Sequence, residues 1–201
     1  MPTTQDVTTH DVTTREREIY QAALQLVAEH GYDRLTMDAV ASASRAGKAT
    51  LYRKWASKAE LVVAAVHDMH ARSMPLALSD TGSLRGDLLA GACTRMGLDD
   101  PWQMAVMSGL MTAMHADREL RQAFVDGFVT PRRVEMEQVF RRAVSRGEID
   151  PGADIELLAS VLPAVVVFHA NFAPDRCTDQ TFLTRVVDTV VLPMIGQHAP
   201  R

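Results

Sequence analysis

An all-α fold is what this sequence predicts, and three observations carry it. Apolar residues recur at three- and four-residue spacing in segment after segment beyond residue 14, and no strand-like alternation appears. Thr, Ser or Asp precedes most of these segments, and Gly or Pro follows them. With 201 residues and 47% hydrophobic content, the chain can bury one extended core or two small ones.

Residues 1–14 (MPTTQDVTTHDVTT) are Thr-rich and polar and read as a disordered arm. They carry neither a basic start nor an apolar stretch, so no secretory signal is expected. The first helix spans about 13–29. Thr13 or Thr14 caps it, Glu16 or Glu18 sits well in its first turn, and Ile19, Ala22, Ala23, Leu26 and Val27 form its apolar stripe. Gly31 ends it. Arg15 and Arg17 near its start suit either backbone phosphates or plain solvation.

Two short helices follow, over TMDAVASASRAGKATLYRKW (36–55). Thr36 is an N-cap residue type, with Met37, Val40 and Ala41 at helical spacing behind it. Ser44-Arg45-Ala46-Gly47 breaks the pattern. The second helix, 48–55, buries Leu51 and Trp55 at i and i+4 and leaves Lys48, Ala49, Thr50, Tyr52 and Arg53 pointing elsewhere. So short a helix needs support from its predecessor. Two short helices across a tight turn, the second with a basic and hydroxyl face, form the helix-turn-helix layout that enters a DNA major groove.

Charge is distributed accordingly. Residues 34–58 hold Arg34, Arg45, Lys48, Arg53, Lys54 and Lys58 against Asp38 alone, a net +5. The whole chain is −4, so the remainder carries −9, and all three lysines of the protein lie in this window. A solvated helix face is the usual meaning of such a cluster. Tyr52 among the cations, just after a turn, favours a local footprint for phosphates instead. Ser57 then caps a fourth helix through about residue 74, with Pro75 beyond it and Leu61, Val62, Ala65, Val66 and Met69 as its apolar face. His67 and His70 are three apart, but no third ligand accompanies them and no metal is expected.

The segment 15–63 resembles the DNA-binding domain of the tetracycline repressor (TetR) family of bacterial regulators. The resemblance rests on Ala22-Ala23-Leu24-Gln25-Leu26 before Gly31-Tyr32, on Leu35-Thr36-Met37, on Gly47 through Trp55, and on Ser57-Lys58-Ala59-Glu60-Leu61. Arg45 stands where the family usually has a turn glycine, and Ala46 where it usually has valine. The resemblance implies a three-helix DNA-binding domain over 15–56 and a ligand-binding and dimerisation bundle over 57–196. Lys48, Arg45, Ala49 and Thr50 are expected at base edges, and Thr36, Tyr52, Arg53, Lys54 and Lys58 at phosphates.

Beyond residue 75 the loop 75–82 leads to helices at about 83–97, 101–115, 117–146, 154–172 and 178–195. Asp99-Asp100-Pro101 starts the second of these. Pro131 is expected to kink the third near Thr130, and Asp150-Pro151-Gly152 is a turn. Met104, Met107, Met111 and Met114 share one helix face. Spacing alone favours core filling for them, whereas the resemblance implies a small-molecule site between the helices. There Trp102, Met107, Met111, His115, Phe124, Phe128, Phe168, His169 and Phe172 would line a largely apolar, drug-sized pocket. The last two helices are apolar nearly all round. That suits burial within one subunit or a two-fold interface through Leu158, Leu162, Val165, Phe182, Val186 and Val190.

Several function classes find no support. No nucleophile triad, phosphate-cradling glycine loop, metal quartet or paired-carboxylate motif is present, so neither an enzyme nor a cofactor is expected. Cys93 and Cys177 match no metal spacing and suit reduced thiols. No apolar run approaches the ~18 residues that a membrane helix needs. The expectation is a cytoplasmic, homodimeric repressor that a small apolar ligand releases from a palindromic operator. A ligand-independent DNA-binding dimer, or an activator on the same scaffold, is the alternative.

Overall fold

The computed structural model describes residues 12–73, 80–92, 100–172 and 179–196, and every regular element among them is helical. In chain order they are α1 (Thr14–His30), α2 (Met37–Ala43), α3 (Lys48–Lys54), α4 (Lys58–Ser73), α5 (Leu84–Ala92), α6 (Pro101–Ala113), α7 (Arg118–Phe124), α8 (Thr130–Ser145), α9 (Ile155–Phe172), α10 (Gln180–Val186) and α11 (Leu192–Gly196). The expected loop at 75–82 and the end of the 83–97 helix fall largely outside the described residues, as do the N-terminal arm through residue 11, Cys93 and Cys177.

Short polar side chains fix most of the helix starts. Thr13 accepts from the Glu16 amide while the Glu16 carboxylate accepts from the Thr13 amide, a reciprocal capping box. Thr36 accepts from Ala39, Ser57 from Glu60, Asp117 from Leu120, Asp154 from Leu157 and Asp179 from Phe182. Each such cap is worth about 1 kcal/mol over alanine. Gly31 stops α1 at φ 79°, a backbone conformation that a side chain would strain.

The buried stripe of α1 is turned from the one expected. Tyr20 and Leu24 are buried with Ile19, Ala23 and Val27, while Ala22 and Leu26 are only half-buried. The reason is tertiary: the ring of Tyr20 packs edge-on against Trp55, 5.6 Å between centroids, and draws that side of α1 inward.

Burial divides into two cores. The first gathers α1–α4 and continues into Val106, Leu110 and Ala113 of α6, Leu120 and Phe124 of α7, and Phe128. The second joins α5 to α8–α11 through Leu84, Leu88, Phe140, Leu162, Val166, Phe182 and Val187. Each fully buried large aliphatic contributes on the order of 1.5–3 kcal/mol from leaving water. A side-chain knot reinforces the second core. Buried Asp87 accepts from the amide and hydroxyl of Thr81 and from Arg146, whose guanidinium also reaches Asp80 and Glu148. Burial pushes the Asp87 carboxyl up, but the bonds from Thr81 and Arg146 outweigh it and hold the group below its ordinary value.

Proline acts on the long helices through helix register. Between α7 and α8 the backbone takes a π turn at Val125–Val129, two residues before Pro131. A second π turn at Val187–Val191 stands in the same relation to Pro193, between α10 and α11. Proline has no N–H to return to the carbonyl four residues earlier, and its ring crowds that carbonyl. A wider turn accommodates both defects, so at Pro131 the expected interruption takes the form of a π turn. At that π turn Gly127 lies against α4: a Cβ built there would stand 2.8 Å from Val63 Cγ1.

Candidate functional site

The helix α3 owes its place to two side chains. Leu51 is fully buried and Trp55 nearly so, and α2 supplies Met37, Val40 and Ala41 as the floor beneath them. The opposite face is therefore outward: Lys48, Ala49, Thr50, Tyr52 and Arg53 are all exposed, Tyr52 at 54% despite its ring. The helix has no acidic residue in its first turn and no side-chain cap, and Lys48 occupies its first position. A cation at the positive end of a helix dipole opposes helix stability, so Lys48 is poorly explained by folding alone.

The turn from α2 to α3 is built around Arg45. Arg45 has φ 53°, the one positive value of a non-glycine residue among those described. The amide of Ala46 donates to the Ala41 carbonyl and that of Arg45 to Ser42, closing the end of α2. The turn thus takes its left-handed step at the position where glycine was expected, with an exposed guanidinium in its place. Gly47, by contrast, sits at φ −67° and needs no glycine freedom.

The basic residues separate into held and free. Lys48 Nζ lies 2.6 Å from Asp38 Oδ2. Lys54 pairs with Glu16, the residue of the α1 capping box, and so links α3 to the start of α1. Lys58 donates to the Tyr32 carbonyl at 3.2 Å and stands 4.2 Å over the Tyr32 ring. Burial, then the charges of Asp117 and Glu119, pushes the Tyr32 hydroxyl up and keeps it neutral. Thr36 is occupied as the α2 cap. Among the described residues, Arg34, Arg45 and Arg53 have no carboxylate partner for their side chains. Composition showed only that Asp38 was the single acid of the window; its pairing with Lys48, ten residues away, has no local spacing to announce it.

This geometry presents an anion-seeking face on a short helix behind a tight turn. Residues 19–65 match the family model for bacterial regulatory proteins of the tetR family, and residues 78–190 match that for the tetracyclin repressor-like C-terminal domain. An uncharacterized HTH-type transcriptional regulator of Mycobacterium tuberculosis is 36% identical over 185 residues, covering 90% of this chain and 88% of the relative. The chain belongs to the TetR family. A DNA-binding transcriptional repressor, TetR, of Mycobacteroides abscessus is 35% identical over 188 residues, or 92% of this chain and 96% of that one. A crystal structure of a TetR family transcription regulator, 28% identical, superposes with a TM-score of 0.65 over 89% of this chain and 97% of its own. The structure of AibR in complex with isovaleryl coenzyme A and operator DNA has the same fold, at 23% identity and a TM-score of 0.60, over 89% and 98% of the two chains. This protein is accordingly a TetR-family DNA-binding transcriptional regulator, and no helix among its described residues is long and apolar enough to cross a membrane.

In this TetR-family chain the residues expected to line a pocket are distributed over the two cores and the surface. Phe124 and Phe128 meet, 4.8 Å between ring centroids, but inside the first core. Trp102 donates from its indole nitrogen to Gln25 of α1 at 3.0 Å, and Met107 packs half-buried on the same core. Met111 is half-buried, and His115, bonded back to the Met111 carbonyl, is exposed. His169 stacks on Phe182 at 4.0 Å in the other half of the molecule. Phe168 and Phe172 lie 65% and 74% exposed on α9, where Leu162 and Val166 take the inward side of the helix.

The expected interface residues divide between the subunit's interior and its margin. Leu158, Leu162, Phe182 and Val186 are buried inside the subunit's own second core, and Val165 and Val190 are half-buried against it. What α9 leaves outside is Leu157, Ala164, Val167, Phe168 and Phe172, with Met194 of α11 also exposed. The inward side of α9 thus carries Leu158, Leu162 and Val166, and the outward side Leu157, Phe168 and Phe172.

One cluster was not singled out from the sequence. Arg132 stacks its guanidinium 3.9 Å over the Phe128 ring, and His70 of α4 packs edge-on against the same ring at 4.8 Å. Burial, then Arg132, brings His70 down to about 4, against the opposing bond to the Val66 carbonyl. Burial likewise lowers Arg132 and raises Glu135. The four-residue step from Phe128 to Arg132 is visible in sequence; the approach of His70 is purely tertiary.

Proposed function

We propose that this regulator acts as a homodimeric repressor, released from a palindromic operator when a small apolar molecule binds its helical bundle. The observation that carries the DNA half is the outward Lys48–Arg53 face over a buried Leu51 and Trp55. Arg45, Lys48, Ala49 and Thr50 reach base edges, with arginine or lysine suited to guanine. Tyr52 and Arg53 hold phosphates and set register, while Thr36, Lys54 and Lys58 fix the geometry and meet the backbone only as their internal bonds allow.

Dimerisation is supported by the apolar outer side of α9. Leu157, Phe168 and Phe172 are each more than half exposed, and a contiguous stripe of this kind seeks cover. Two-fold pairing there places two reading helices on one face, about 34–36 Å apart on DNA. Val165 and Val190 contribute at the edge.

Ligand response is supported by the first core, which runs without a break from α1–α4 into α6, α7 and Phe128. A molecule that entered beside Phe124, Phe128 or Met107 would shift helices packed directly on the reading unit. To release DNA it must prefer the shifted state, by ~1–3 kcal/mol for a typical coupling. AibR, which has the same fold, is in complex with isovaleryl coenzyme A and operator DNA, and this supports the reading. A second reading, a regulator whose bundle serves assembly alone, draws on the core packing of Phe124 and Phe128.

Thermal melting against a panel of apolar compounds, repeated with a duplex that the protein selects from a random pool, separates the two. A compound that raises the melting temperature and also releases the duplex supports ligand control. A panel that leaves both unchanged supports the assembly-only bundle.

A further inference from the structure

Lys48 and Asp38 form an ion pair at the outer edge of the reading unit, 2.6 Å between Nζ and Oδ2, with the side chains 63% and 58% exposed. Each group has its own reason to be noticed. Asp38 lies in the first turn of α2, where a carboxylate suits the helix dipole. Lys48 lies in the first turn of α3, where a cation does not. The pair therefore offsets an unfavourable cation with an acid held beside the surface that meets DNA.

The other pair of this region is built differently. Glu16, which holds Lys54, is only 19% exposed and also closes the α1 capping box, so its loss disturbs the fold. Asp38 donates no such support to a core. An exposed pair of this kind is weak, worth at most about a fivefold equilibrium factor, and salt weakens it further. A duplex can therefore displace it, but only by giving Lys48 a better partner than the carboxylate it leaves.

We propose that Asp38 is a specificity-determining residue: its carboxylate competes with DNA for Lys48 and repels nearby phosphates, which penalises non-specific duplex more than the cognate site. On non-specific DNA the gain is a generic phosphate contact, which Asp38 largely cancels. On a cognate site Lys48 gains a bidentate base edge, and the carboxylate is outcompeted. This inference rests on the reading of α3 as the DNA-reading helix.

The test is fluorescence anisotropy with two labelled duplexes, a 30-bp random pool and the sequence the wild type selects from it. Four proteins are compared: wild type, Asp38→Asn, Lys48→Ala and the double variant, with Asp38→Glu as a charge-preserving control. Asp38→Asn is expected to tighten binding to random duplex about 3- to 10-fold and to the selected duplex less, so that the ratio of the two falls. Its salt dependence on random duplex should steepen, by up to the ~0.9 of one added phosphate contact. In the Lys48→Ala background the gain should shrink, and Asp38→Glu should keep the wild-type ratio. Equal tightening on both duplexes, or a gain undiminished without Lys48, overturns the proposal. Lys48→Ala that leaves both affinities unchanged overturns instead the placement of Lys48 at DNA, and the proposal with it. Should Asp38→Asn melt well below the wild type, Asp38→Ser carries the same comparison.

Discussion

Arg15 of α1 donates from Nη2 to the backbone carbonyl of Arg45 across 2.7 Å, so the first helix holds the turn that orients the reading helix. The residue so held is itself in a left-handed conformation, φ 53°. A non-glycine residue there costs roughly 1 kcal/mol, which glycine would avoid at the expense of a more flexible unfolded chain. Arg45→Gly is expected to melt at or above the wild-type temperature and yet to bind selected duplex several-fold more weakly. Arg45→Val should lose both, by ~1–2 kcal/mol in stability. If Arg45→Gly kept full affinity, the guanidinium would have no part in recognition.

The contact of Gly127 with Val63 sets how closely the π turn approaches α4. Gly127→Ala places a methyl 2.8 Å from Val63 Cγ1. Overpacking of this kind costs ~1–3 kcal/mol, more than the helix-propensity gain of alanine over glycine. Val63→Ala in the same chain should recover part of the loss, which denaturant melts of the single and double variants measure as a coupling.

His70 makes stability depend on pH in a defined window. Its folded value, about 4, lies below the ordinary 6.5 because of burial first and Arg132 second. The unfolded chain takes up a proton as pH falls through 6.5, while the folded chain refuses it until about 4. Stability is therefore undiminished above 6.5, falls between 6.5 and 4, and levels below that, with up to about 3 kcal/mol lost. Wild type and His70→Gln should differ in slope over that interval and nowhere else; parallel curves would place His70 in water.

At the α9 surface, Phe168→Glu and Phe172→Glu should convert a dimer into folded monomers, since both rings are mostly exposed in one subunit. Leu162→Ala acts differently: it opens a hole in the second core and costs ~2–5 kcal/mol. Sedimentation velocity with circular dichroism distinguishes the two classes. A Phe168→Glu protein that remains dimeric would move the interface elsewhere.

Local chemistry explains what the sequence showed in advance. Caps at Thr13, Thr36 and Ser57, the stop at Gly31 and the burial of Leu51 and Trp55 all follow from residues three or four apart, and so the reading unit was legible. The outer and inner sides of α9 were not, because an all-apolar helix carries no phase: Leu162 and Phe168 look alike until neighbours choose between them. The same holds for Tyr20, drawn inward by Trp55, and for His70, which comes under the charge of Arg132 only because α4 packs on the π turn that carries Phe128. The Lys48–Asp38 and Lys54–Glu16 pairs join residues whose separations of ten and thirty-eight lie beyond any helical period.

In the proposed dimer the exposed face of α3 enters DNA twice per assembly. A DNA-cleaving iron chelate attached at Thr50→Cys, in a Cys93→Ser and Cys177→Ser background, reports this directly on a duplex the protein selects. Two clusters of strand cleavage, one helical turn or a multiple of it apart and centred on the two half-sites, are the expected pattern. Cleavage at a single cluster, or none above that from a chelate at the distal Arg141→Cys, would contradict it.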